Sequence, residues 1–122
     1  MDSSKTDIKE RSYSFALKII KLVESLSNDP TSRVIGDQLL RSGTSVGANI
    51  IEAQAASSKR DFINFLNYAL KSANETKFWL GLLRDSDRKD SKAINPLLED
   101  TRQLSNILAS SILTLKRGQK PK

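Results

Sequence analysis

In the stretch RSGTSVGANIIEA, residues 41–53, Arg41, Ser45, Asn49 and Glu52 follow one another at spacings of four, four and three. The chain is 28% charged, yet Glu52 is the only charge between Ser42 and Ser58. At 100° per residue these four side chains fall on one narrow arc of a helix, at the border of its apolar face. Glu75 lies one helix later, set off from the apolar stripe and one turn from Lys71, Ser72 and Trp79. Two chemistries suit these groups. One is a structural hydrogen-bond network, in which Arg41 meets a carboxylate through its fork of N–H donors and Asn49 both donates and accepts. The other is acid catalysis by a Glu52/Glu75 carboxylate pair.

The network is the better reading. No motif supplies a nucleophile, an oxyanion hole or a phosphate loop, and Gly43-Thr44-Ser45-Val46-Gly47 matches neither common nucleotide-binding pattern. The chain has no histidine and no cysteine. The commonest general base, the commonest metal ligand and thiolate chemistry are therefore missing. A two-metal helical bundle needs inward Glu-x-x-His pairs, which this sequence lacks. The expectation is a protein with no cofactor, no metal and no catalytic residues, in which Arg41, Ser45, Asn49, Glu52 and Glu75 form a structural polar network.

The elements that would carry these residues are all helical. Ile8, Ser12, Phe15, Ile19, Leu22 and Leu26 step by four and three, which marks one buried face. Asn28-Asp29-Pro30 ends that segment and caps the next. The second segment buries Ile35, Leu39, Val46, Ile50 and Ala53 and contains Gly36, Gly43 and Gly47. A glycine costs a helix about 1 kcal/mol relative to alanine, so three of them point to a neighbour packed very close. A third segment carries a stripe through Phe62, Phe65, Leu66, Ala69, Ala73, Thr76, Leu80 and Leu83, with Phe78 and Leu82 on the opposite side and Tyr68 and Trp79 on a flank. After a polar loop, Asn95-Pro96 reads as the cap and first residue of a last helix with Leu97, Thr101, Leu104, Leu108, Ser111 and Leu115 on one face. Helices are thus expected at about 7–27, 31–56, 58–84 and 95–117, joined by short links. They make an all-α, antiparallel up-down-up-down four-helix bundle, a single domain over 1–122.

Charge is the other functional signal. The formal net charge is +6, and the segment 116–122 alone holds Lys116, Arg117, Lys120 and Lys122 with no acid, leaving +2 for the rest. A short basic tail suits phosphate backbones, and Lys59 and Arg60 add cations at a bundle end. No apolar run is long enough to span a membrane, and MDSSKTDIKERS has no apolar signal core, so a cytoplasmic protein is expected.

The residues Leu40-Arg41-Ser42-Gly43-Thr44-Ser45-Val46-Gly47-Ala48-Asn49-Ile50-Ile51-Glu52-Ala53 resemble the signature of the bacterial four-helix-bundle proteins encoded in 23S rRNA intervening sequences, roughly L-R-x-[AS]-x-S-[IV]-x-x-N-I-A-E-G. The likeness continues from Ser58 through Phe62, Phe65, Leu66, Ala69 and Ser72 to Glu75. Ile51, Ala53 and Asp61 depart from it, standing where alanine, glycine and glutamate are usual. The resemblance implies a homopentameric ring of antiparallel four-helix bundles. It also implies kinship with the accessory protein of diversity-generating retroelements, which is basic and binds nucleic acid and a reverse transcriptase. On that basis Gly43, Gly47, Phe78 and Leu82 become subunit-interface candidates. Lys59, Arg60, Lys116, Arg117, Lys120 and Lys122 become candidates for RNA or DNA phosphates. The expected function is a non-enzymatic, oligomeric binding protein; the alternative is a scaffold that docks a partner enzyme such as a reverse transcriptase.

Overall fold

In the computed structural model, residues 7–118 are described, and they form four helices: α1 (Ile8–Glu24), α2 (Pro30–Gln54), α3 (Lys59–Asp85) and α4 (Ser91–Gly118). Local chemistry starts each of the first three. The Asp7 carboxylate accepts from the Lys9 N–H at 2.8 Å. The Asp29 carboxylate accepts from the Ser32 N–H at 2.9 Å and the Ser32 hydroxyl at 2.8 Å, and Pro30 follows where no N–H is needed. Ser58 Oγ accepts from the Asp61 N–H at 3.0 Å. Each side chain satisfies a donor that the first turn leaves without a partner.

The fourth helix begins at Ser91, four residues before the expected Asn95. Asp90 rather than Asn95 caps it, because its carboxylate accepts from the Ala93 N–H at 3.2 Å and its carbonyl accepts from Ala93 and Ile94 at 3.1 Å. The early start buries Ile94 completely. Pro96 is then inside the helix and removes the bond to the Lys92 carbonyl. Lys92 is exposed, so water can serve that oxygen.

Each helix packs against its neighbours in sequence, and α1 meets α4 to close the ring. Links of four or five residues leave consecutive helices antiparallel. The core runs along the axis through Phe15 and Ile19 of α1, Leu39, Val46 and Ile50 of α2, Leu66, Leu80 and Leu83 of α3, and Leu97, Leu104 and Leu108 of α4. Burying each such side chain is worth about 1.5–3 kcal/mol. The α1–α4 seam is held by polar contacts, Lys18 Nζ to Asp100 at 3.2 Å and Arg11 to the Gln103 side-chain oxygen at 2.8 Å.

The helix-two glycines answer to α1. A Cβ on Gly43 would sit 3.0 Å from both Cγ1 and Cγ2 of Ile19, and one on Gly47 would sit 3.1 Å from Ser12 Oγ. The expected close approach is present, but it comes from α1 of the same chain. Gly43 is buried there and Gly47 half-buried, so packing within the chain accounts for both glycines.

Candidate functional site

Arg41 and Glu75 meet across the α2–α3 seam as an ion pair. Arg41 also donates through Nε and Nη2 to the Gln38 side-chain oxygen at 3.1 and 2.9 Å, and the Trp79 indole N–H donates to Glu75 Oε2 at 2.8 Å. One carboxylate thus takes a guanidinium from α2 and an indole from its own helix. Directly beneath, the hydroxyls of Ser42 and Thr76 are hydrogen-bonded at 3.0 Å, and both residues are fully buried. These contacts make a polar rivet between α2 and α3.

The rest of the expected row does not join it. Ser45 Oγ donates to the Arg41 carbonyl at 2.6 Å, and the Asn49 amide donates to the Ser45 carbonyl at 2.9 Å. Both side chains fold back onto their own helix. Glu52 is exposed, and its carboxylate enters no hydrogen bond or ion pair among the described residues. The five-residue network is corrected to an Arg41–Glu75 pair completed by Gln38 and Trp79. Helical spacing carried the signal for both additions, since Gln38 lies three residues before Arg41 and Trp79 four after Glu75. The row's arc on the wheel is real, but an arc places side chains on a face without saying whether another helix stands opposite.

The cations gather elsewhere. Lys59 Nζ lies 3.3 Å from the point a Cβ on Gly118 would occupy, so the first turn of α3 and the last turn of α4 share one end of the bundle. Lys59, Arg60, Lys116 and Arg117 are all exposed there. Lys120 and Lys122 lie outside the described residues. Asp61, in the same turn as Lys59, has its carboxylate occupied by the Ser57 hydroxyl at 2.9 Å. The end of α4 is the negative pole of its dipole, which favours the ammonium of Lys59 beside it.

Phe78 and Leu82 stand 58% and 37% exposed on the outer side of α3. The Phe78 ring meets Trp79 edge to face at a centroid distance of 5.0 Å, so it is held in place while its outer side is open. Among the described residues, no group of three His, Cys, Asp or Glu side chains is placed to hold a metal, and no helix is long and apolar enough to cross a membrane.

Fold and site together define a small all-α bundle with a polar contact between α2 and α3 and exposed cations from α3 and α4 at one end. The chain belongs to the 23S rRNA-intervening sequence protein family, whose profile matches residues 4–110. It is similar to a crystal structure from Bacteroides thetaiotaomicron VPI-5482, a protein of unknown function from the S23 ribosomal protein family. The two are 42% identical, with a TM-score of 0.82 over 87% of this chain and 98% of that one. No curated protein matches the chain.

Proposed function

We propose that the protein is a non-enzymatic, oligomeric binding protein that associates with RNA or DNA through phosphate contacts at the cationic end of the bundle. One observation carries the reading: Lys59 Nζ lies against the last turn of α4, which brings Lys59, Arg60, Lys116 and Arg117 to one end from two helices. Phosphates are recognised by clustered cations irrespective of base sequence. The family description, which ties its members to 23S rRNA intervening sequences, makes RNA the first polyanion to test. Copies joined as a ring, five by the family resemblance, would present several such ends at once and add weak contacts into a useful affinity.

The exposed Phe78 and Leu82 favour a second reading, in which α3 docks a protein. The occupant would be another copy of the chain or a partner enzyme such as a reverse transcriptase. Amide NMR during titration with RNA separates the two sites. Nucleic-acid binding at the cationic end perturbs Lys59–Phe62 and Leu115–Gly118; perturbations centred on Phe78 and Leu82 instead would move the contact to the apolar face. The mass of the native assembly, measured without nucleic acid, then reports whether copies of the chain already cover that face.

A further inference from the structure

At the cationic end the four helices leave a pocket of about 430 Å³ between them. Its lining is graded. Leu66 and Leu108 are buried and Phe62, Leu115 and Ile8 are half-buried; of the polar members Ser111 is half-buried and Gln54, Ser110 and Thr114 are exposed. The floor is apolar and the mouth polar. Lys59, Phe62 and Leu66 follow one face of α3 at spacings of three and four, and Leu108, Ser111, Leu115 and Gly118 follow one face of α4. The ammonium of Lys59 rests beside Gly118, one turn beyond the lining residue Leu115, and Lys59 itself lies one turn before the lining residue Phe62. Lys116 and Arg117 extend the positive charge around the last turn.

We infer that this pocket binds a medium-chain fatty carboxylate, with its alkyl chain between Phe62, Leu66, Leu108 and Leu115 and its headgroup toward Lys59. An apolar floor, a neutral polar mouth and an ammonium one turn beyond it complement a ligand with an apolar body and a single negative end. The two segments that flank the described residues do not match that chemistry. Residues 1–6, MDSSKT, and 119–122, QKPK, contribute one large apolar side chain, Met1, between them. The pocket does not depend on the nucleic-acid reading, because a protein that fails to retain RNA can still hold an alkyl carboxylate.

The test is a titration of the full chain with octanoate, decanoate, decanol, decyltrimethylammonium and adenosine monophosphate, followed by methyl NMR. Decanoate should saturate at one molecule per chain and shift the methyls of Ile8, Leu66, Leu108 and Leu115. It should bind about tenfold more tightly than octanoate, from the two added methylenes. Lys59→Ala should weaken decanoate by about two- to fivefold while leaving decanol unchanged. Ser111→Phe should fill the pocket and abolish binding. Should that variant unfold, Leu115→Ala serves instead: it enlarges the pocket and should shift the preferred chain length upward. Non-saturating decanoate, decanol or decyltrimethylammonium binding as tightly as decanoate, or adenosine monophosphate shifting the same methyls at lower concentration would each overturn the inference.

Discussion

Glu75 accepts from donors on two helices at once, and its surroundings set what a substitution there does. The Arg41 and Glu75 side chains are 54% and 35% exposed, so water competes with the pair. Such a pair is worth about 0.2–1 kcal/mol. Glu75→Ala is therefore expected to lower stability by no more than about 1 kcal/mol in urea unfolding and to leave the helical circular-dichroism spectrum unchanged. A Glu52→Gln variant should match the parent in the same experiment, because Glu52 has no partner to lose. The Ser32 N–H, then the Ser32 hydroxyl, hold Asp29 below the usual carboxylate range, and hydrogen bonding from Arg102, then Gln103, does the same for Glu99. A carboxylate whose pKa is lower in the folded than in the unfolded chain stabilises the fold above its unfolded value, about 3.9 for Asp. That stability is lost as the pH falls through the folded value. The melting temperature is expected to decline below about pH 4. Asp29→Asn, which keeps a capping side chain, should make that decline shallower, and an acid limb unchanged in the variant would remove Asp29 from the explanation.

At the scale of the helix, the glycines and one aspartate make opposite predictions. Gly43→Ala drives a methyl against Ile19, a fully buried β-branched side chain that has little room to yield. The clash, about 1–3 kcal/mol, outweighs the helix-propensity gain of about 1 kcal/mol, so the variant should be less stable. Gly81→Ala meets nothing within 4 Å and should stabilise by roughly 0.5–1 kcal/mol. Asp87 ends α3 with φ 61°, while the Arg88 N–H donates to the Leu83 carbonyl at 2.9 Å and the Asp87 N–H to Arg84 at 3.1 Å. This is the paired closure that favours glycine in the left-handed position. Asp87→Gly should therefore raise stability by about 0.5–1 kcal/mol. Denaturant midpoints at constant m-value check all three. The helices themselves were legible in the sequence because their apolar steps of three and four repeat for several turns. The start of α4 was not, since Asp90 and Asn95 are both good caps and Asn95-Pro96 carries the stronger local signal. Burial of Ile94 decides between them, and burial is a property of the packed bundle. The same limit applies to the polar row. The sequence marks Arg41 and Glu75 as facing the seam, while the opposite helix determines that Glu52 faces water.

Across the whole molecule, charge and apolar exposure are separated. Cations concentrate at the end formed by α3 and α4, whereas Phe78 and Leu82 lie beyond the Arg41–Glu75 pair toward the other end of α3. On the proposed reading, that separation would let one surface hold a protein while another meets a polyanion, so the two proposed roles can be broken independently. A Phe78→Ser/Leu82→Ser variant is expected to reduce the mass of the native assembly and to weaken nucleic-acid retention only by loss of multivalency. The central claim concerns the charged end, and the salt dependence of RNA affinity tests it most directly. With four phosphate contacts per chain, affinity for a single strand should fall about 50-fold, and for a duplex about 150-fold, between about 50 and 200 mM salt. Replacing Lys59, Arg60, Lys116 and Arg117 with glutamine should flatten the slope of log affinity against log salt by about four contacts' worth, with the helical spectrum intact. A slope that is the same in parent and variant, or RNA binding that does not respond to salt, would contradict the account.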